Sequence, residues 1–503
     1  MSRDREPANT RAHPHNPRRR THRNQATHLA TDNPHPACTP PPLRHSALPA
    51  PPPSPPMPAS PVPTGSASIE SASLERAPAR RLDRKDARTL MLAALGGALE
   101  FYDFVIFVFL TETLRHLFFP PEMPTWLSTL QIYGIFAAGY LVRPIGGIVM
   151  AHFGDRSGRK RMFTLSVFLM ALPTLCIGLL PVYAQIGIAA PLLLLALRVV
   201  QGIAIGGEVP GAWTFVAEHV PRGRVGFACA SLSAGLTAGI LIGSLISTAI
   251  NTWFTPEQVL GGVWRAPFVL GGVFGFLAVY LRRWLSETPV FAAMRESRQL
   301  VRELPLKQVL RDHLGGVVLS MLVTWLLTAA IVVIILMTPT IVQQQFGIAP
   351  ARAFFGNSLA AFCLTLSAIG GGLLVDWLGR GRALLIGSVG VLVSSFALYY
   401  DLNHGAEHFL ALYALAGVFV GVVGVIPAVM VAAFPAPVRF SGLSFSYNVA
   451  YAVFGAATPP LIGGYLAPHL GGMAPAYYVM GVAVVGMAVA VYLLNTRRRF
   501  HED

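Results

Sequence analysis

Charge is what this chain has least of. Asp, Glu, Lys and Arg together make up 12% of its 503 residues, while 53% are hydrophobic. A soluble globular chain carries roughly 25% charged residues, so half that density points to a protein that lives in lipid. Cysteine is scarce too. Cys38, Cys176, Cys229 and Cys363 show no metal or redox spacing, which leaves no disulfide framework and no zinc site to expect. The chain also lacks a Walker-type phosphate loop and a nucleophile elbow, so neither ATP-driven pumping nor hydrolase chemistry is supported, and it does not read as an enzyme.

Acidic residues are outnumbered, 24 against 38 Lys and Arg, for a net charge of +14. That balance would suit nucleic acid, but the positions argue against it. Nine of the basic residues lie in 1–79, and nearly all the others sit between apolar runs, where basic residues orient a membrane protein. The segment 1–79 itself holds 17 of the 40 prolines within its first 63 residues and six of the 14 histidines. It shows no apolar periodicity and no hydrophobic stretch of the kind that marks a secretory signal, so it is expected to be a disordered tail, with Met57 as an alternative start.

A helix needs about 20 apolar residues to cross the hydrocarbon core. Such runs are read near 90–112, 129–152, 162–184, 188–217, 226–250, 264–284, 314–340, 353–377, 382–400, 408–433, 440–466 and 474–495. The fold class expected is an all-α polytopic membrane protein of twelve transmembrane helices. If the N-terminal tail is cytoplasmic, the loops on that side carry 24 Lys and Arg and the opposite loops carry three, Arg115, Arg265 and Arg352. This asymmetry predicts both termini in the cytoplasm.

The loop after the second run reads Asp155-Arg156-Ser157-Gly158-Arg159-Lys160, and the loop after the eighth reads Asp376-Trp377-Leu378-Gly379-Arg380-Gly381-Arg382. Each gives Asp, two residues, Gly, Arg, then another basic residue, 221 positions apart. The repeat predicts two six-helix halves related by duplication, with a solute site between them. The expected organisation is a tail (1–79), a first bundle (80–284), a cytoplasmic linker (285–313), a second bundle (314–495) and a short tail (496–503). Asp155, Arg156, Gly158, Arg159, Lys160, Asp376, Gly379, Arg380 and Arg382 are expected to form a conformational gate, through charge-assisted contacts that break when the halves rock.

These loops, with several further stretches, resemble the major facilitator superfamily and, within it, the metabolite:proton symporter branch. The further stretches are Leu99-Glu100-Phe101-Tyr102-Asp103-Phe104, Arg143-Pro144-Ile145-Gly146-Gly147, Arg198-Val199-Val200-Gln201-Gly202, Gly206-Gly207-Glu208, Trp264-Arg265-Ala266-Pro267-Phe268, Glu287-Thr288-Pro289-Val290-Phe291, and Phe434-Pro435 with Arg439 and Tyr447-Asn448. The resemblance spans 85–497. It departs from the pattern at Ala151, where Gly is usual, at Phe101, where Trp is common, and at Ala432-Ala433, where an acidic residue usually precedes Phe-Pro. The last departure removes one expected cytoplasmic ion pair. The resemblance implies a proton-coupled symporter of the cell's inner membrane, taking up a small organic acid such as citrate or 2-oxoglutarate. The alternatives are a zwitterion such as proline or betaine, or efflux by proton exchange. The lack of proline in 226–250 speaks against efflux. The expected partners are the solute, protons as the coupling ion and the lipid bilayer, with no nucleic acid, no other cofactor and a monomeric state.

A charge at mid-bilayer costs at least about 2.5–3.5 kcal/mol, so ionisable residues inside the runs should face partners or water. Glu100 and Asp103, three apart, share a helix face. Paired carboxylates favour holding a proton, so both are candidates for proton coupling, or for an ion pair with Arg143 or Arg198. A guanidinium binds both oxygens of a carboxylate, which makes Arg143 a candidate solute ligand; the resemblance assigns Arg198 to proton coupling or helix pairing. Glu208 either takes a proton or pairs with an arginine. Gln201 lies nearly on its face. Gln201, Tyr102, Tyr447 and Asn448 are further candidates for hydrogen bonds to solute or between helices.

Overall fold

The backbone cannot leave N–H or C=O groups unpaired in lipid, so apolar runs of this length must be helical. The computed structural model describes residues 84–282 and 305–496 apart from Gly158, and among them there are helices and no strands. The tail 1–79 with residues 80–83, the end of the first bundle with the first part of the linker (283–304), and 497–503 lie outside the described residues, as do the side chains of Glu100, Asp155, Arg156, Arg159 and Lys160. The first copy of the gate and one carboxylate of the Glu100–Asp103 pair therefore have no structural account.

Nine helices among the described residues are long and apolar enough to cross a bilayer, and a pair bent by 47° makes ten. The first five membrane segments are α1 (Ala87–Phe109), α2 (Thr125–Met150), α3 (Arg159–Leu179), α4 (Ala189–His219) and α5 (Val225–Trp253). The bent pair is α6 (256–281). Then come α7 (Leu314–Phe346), α8 (Pro350–Leu378), α9 (Arg380–Asn403) and α10 (Phe409–Ala432). The apolar stretch Val438–Asn495 has 58 residues, which as one helix would measure about 87 Å, nearly three hydrocarbon thicknesses.

That last stretch is two passes. The chain turns at Gly471, whose φ of 61° suits a residue without Cβ. Thr458 and Tyr478, 20 positions apart, share a 2.7 Å hydrogen bond across the fold-back. The passes are α11 (436–470) and α12 (Ala474–Asn495). In α3 the basic start leaves only Leu165–Leu179 as apolar helix, too short to be counted alone. These two features separate the twelve apolar runs from the count of nine or ten.

The packing repeats. α1 packs on α5, α2 on α4 and α3 on α6; correspondingly α7 packs on α11, α8 on α10 and α9 on α12. The first six helices meet the last six along two seams, α5 against α8 and α2 against α11. Outward-facing Leu141, Ile145, Leu366 and Val393 are all more than half exposed. On a soluble protein such a belt would be a liability; here it is the lipid face.

α2 and α4 approach backbone to backbone, which sets the height of the two buried arginines. A Cβ on Gly202 would run into the carbonyl oxygen of Gly139 and meet Val142 Cγ2 at 2.6 Å. Overpacking of this kind costs about 1–3 kcal/mol. Gly202→Val should therefore lower the thermal unfolding temperature of the purified protein in detergent, whereas Gly134→Ala, where a Cβ meets nothing within 4 Å, should leave it in place.

Candidate functional site

Arg143 and Arg198 come together around Phe104, and Arg143 reaches across the α2–α11 seam to Tyr451. Arg143 starts the second half of α2, just after a break at Val142, and Arg198 projects from α4 against Gly139. Both are fully buried. The Arg143 guanidinium carbon lies 4.9 Å from the Phe104 ring centre, 4.4 Å from Tyr140 and 4.5 Å from Tyr451. That of Arg198 lies 4.6 Å from Phe104 and 4.1 Å from Phe107. One ring, Phe104, thus serves both cations. Tyr140 precedes Arg143 by three positions, so helix geometry puts it on the same face. Tyr451 comes from α11, across the seam, and opens a π-helical turn, Tyr451–Gly455. Such turns are frequent at functional sites.

The two guanidiniums are underused. Arg198 Nη1 donates to Gln201 Oε1 at 3.0 Å, but its Nε and Nη2 have no hydrogen-bond partner, and neither do Nε and Nη2 of Arg143. Neither arginine forms an ion pair among the described residues. Leaving charged donors unsatisfied in a buried site is costly, and two like charges around one ring add to that cost. The arrangement is stable toward an incoming anion and poor without one.

Asp103 is buried elsewhere. It points between α1, α3 and α6, where Gly271 and Gly275 carry no side chain: a Cβ on Gly271 would lie 2.5 Å from its Oδ1, and one on Gly275 would lie 3.1 Å from Oδ2. Neither carboxylate oxygen has a hydrogen-bond partner. Asp103 forms no ion pair with Arg143 or Arg198. The link is indirect. Thr174 of α3 borders the same space, a Cβ on Gly271 meeting its Cγ2 at 2.9 Å, and Gln201 Nε2 donates to Thr174 Oγ1 at 2.7 Å. Thr174 thus stands between the carboxylate and the Gln201–Arg198 pair, a role that its place in an apolar run did not signal.

The other candidates scatter. Tyr102 is not at the arginines: its hydroxyl donates to the Pro267 carbonyl of α6 at 2.9 Å and its ring packs edge-on against Phe274. It faces away because 100° of helix turn separates it from Asp103 and 200° from Phe104. Glu208 follows a break in α4 at Gly207 and accepts from Ser166 Oγ of α3 at 3.0 Å. The Tyr447 ring packs tilted against Tyr451 at 4.7 Å and meets the Trp213 ring of α4 edge-on at 5.2 Å. Asn448 donates across the seam to the Gly206 carbonyl, while its Oδ1 has no partner. Tyr447 is therefore at the arginine site, with its hydroxyl in hydrogen-bonding reach of Arg143, while Asn448 is a seam residue that ties α11 to α4.

At one end of the α5–α8 seam, Asp376 accepts from the backbone N–H groups of Gly226 at 2.8 Å and Phe227 at 3.0 Å. These are unpaired donors at the start of α5, where a carboxylate also meets the positive end of the helix dipole. Gly379 follows with φ of 85°, the turn that lets α9 begin at Arg380, while Arg382 is exposed. Nearby, the ion pair that Ala432-Ala433 cannot make is replaced. Arg439 Nε donates to the carbonyls of Val431 and Phe434, and its Nη1 lies 3.9 Å from Glu218 of α4. Glu218 was missed because nothing in its local sequence marks it. At the opposite end Gln344 of α7 donates to Glu112 at 3.3 Å. Burial works to raise the Glu112 carboxyl, but the hydrogen bond and charge of Arg115, with His116 beside it, hold it below the usual range.

Asp376→Ala should remove both caps and loosen this end. Substrate turnover is expected to fall by at least about tenfold, as charge-assisted bonds worth about 1.5–3 kcal/mol each are lost from one conformation only; initial rates compared with equilibrium binding check it.

Similar proteins carry the same architecture. The family model described as Major Facilitator Superfamily matches residues 90–400. A putative proline/betaine transporter of Staphylococcus aureus (strain COL) is 31% identical over 419 residues, covering 82% of this chain and 88% of that protein. The glycine betaine/proline/ectoine/pipecolic acid transporter OusA of Dickeya dadantii (strain 3937) is 32% identical, covering 83% and 85%. Among solved structures, the proton:xylose symporter XylE from E. coli superimposes with a TM-score of 0.67 at 16% identity, covering 82% of this chain and 95% of that one. The repeated helix pairing, the two seams and the sequence matches together make this chain a member of the Major Facilitator Superfamily, a multi-pass membrane transporter of small solutes.

Proposed function

We propose that the protein is a proton-coupled symporter that takes up a small zwitterion of the proline/betaine class by alternating access in the inner membrane, with both termini cytoplasmic. The observation that carries this is the pair of buried arginines with four unpartnered N–H-bearing nitrogens between them at a seam of the two halves. A single carboxylate satisfies such a pair through its planar fork. The relatives' names, which give proline and betaine, favour the zwitterion over the citrate or 2-oxoglutarate expected first. Arg143 and Arg198 hold the solute carboxylate. Asp103 carries the proton, and Gln201 with Thr174 relays its state to Arg198. Asp376, Gly379 and Arg439 belong to the end that closes while the solute is held.

The test is uptake by proteoliposomes under an imposed proton gradient, with glycine betaine, proline, citrate and 2-oxoglutarate offered singly. Gradient-driven accumulation of betaine or proline is expected. Accumulation of citrate alone would return the reading to an organic acid, and accumulation unaffected by the gradient would remove the proton.

A further inference from the structure

Resting on that zwitterion reading, we infer that the three-ring cage of Phe104, Tyr140 and Tyr451, filled here by the Arg143 guanidinium, is the subsite for the solute's quaternary ammonium group, and that Arg143 leaves it to meet the solute carboxylate. The three ring centres lie 4.4–4.9 Å from the guanidinium carbon, the distance at which a ring face attracts a cation. Adjacent rings are 5.3 Å (Phe104–Tyr140) and 5.4 Å (Tyr140–Tyr451) apart, and all three are buried. Cages of this kind bind methylated ammonium groups. Arg143 occupies the cage through its ring contacts while its Nε and Nη2 remain unpartnered, so the cage holds the cation without meeting the hydrogen-bonding needs of two of its nitrogens.

Charge explains why the occupant must be a zwitterion. Arg143 and Arg198 already place two positive charges around Phe104. A bare cation entering the cage would add a third. A simple carboxylate would satisfy the arginines but leave the rings without a cation once Arg143 swung toward it. A zwitterion adds no net charge, gives its carboxylate to the guanidiniums and replaces the displaced Arg143 in the cage. Phe104 and Tyr140 come from the first six helices and Tyr451 from the last six, so the ammonium is gripped only when the seam is closed. Solute binding then favours the closed state by the difference between its contact with three rings and with two.

The experiment uses the full chain in proteoliposomes and compares glycine betaine with 3,3-dimethylbutyrate, which has the same shape and carboxylate but no positive charge, and with choline, which has the cation but no carboxylate. Betaine should compete for labelled betaine at least about tenfold better than dimethylbutyrate, and choline should compete poorly. Tyr451→Leu should erase the betaine advantage by weakening betaine alone, and Tyr451→Phe, which keeps the ring, should retain it. Equal affinity of the wild-type protein for betaine and dimethylbutyrate overturns the cage while leaving the zwitterion reading standing. Absence of any betaine binding overturns both. Should Tyr451→Leu fail to fold, the wild-type ratio alone still decides.

Discussion

Asp103→Asn should abolish accumulation of solute against its gradient while leaving exchange of solute across the membrane intact. Asn has the shape of the carboxylic acid but cannot bind or release a proton. Asp103 is buried among α1, α3 and α6 with neither oxygen partnered, and the two glycines that face it leave no side chain to neutralise it. A buried carboxylate without donors must find a proton or a mobile cation, and the indirect path through Thr174, Gln201 and Arg198 is where its state would be felt. One proton per solute under a unit pH difference is worth about 1.4 kcal/mol, a tenfold concentration ratio. In the variant that ratio should collapse to about one, with counterflow of labelled against unlabelled solute near the wild-type rate. Survival of the tenfold ratio would take proton coupling away from Asp103.

The second large effect is expected at the arginines. Charge-assisted hydrogen bonds to a carboxylate contribute about 1.5–3 kcal/mol each, so Arg143→Ala should weaken solute binding by roughly 10- to 100-fold. Arg143→Lys keeps the charge but loses the planar fork and should fall between. Arg198→Ala should do more than weaken binding. Gln201 Oε1 would lose its donor, and Asp103 would lose the nearest cation path, so the pH dependence of uptake should shift as well as the affinity. Isothermal binding across several pH values separates the two. If Arg143→Ala leaves affinity within twofold of wild type, the solute carboxylate lies elsewhere.

The gate shows how far local reading reaches. The second copy, Asp376 with Gly379, was legible because its residues repeat those at Asp155 and Gly158, and its chemistry follows from a carboxylate at a helix end. What it meets was not legible: Gly226 and Phe227 are 150 and 149 positions away, and their N–H groups matter only because α5 begins there and lies against α8. Glu218 is similar. Its value comes from Arg439, brought near after Ala432 and Ala433 leave that arginine without the usual acid.

By itself the sequence determined the membrane class, the number of apolar runs, the duplication and four of the buried charges, Asp103, Arg143, Arg198 and Glu208. These depend on composition, on the length a helix needs to cross hydrocarbon and on a repeated loop, all of which are local properties of a chain. Only the tertiary structure decided which of those charges meet. Glu208 faces α3, Tyr102 and Asp103 turn toward α6, and Arg143 and Arg198 share Phe104 across a glycine-lined crossing of α2 and α4. The reason is rotational: a helix turns 100° per residue, so neighbours in sequence look in different directions, and the direction that becomes the seam is fixed by where backbones can touch.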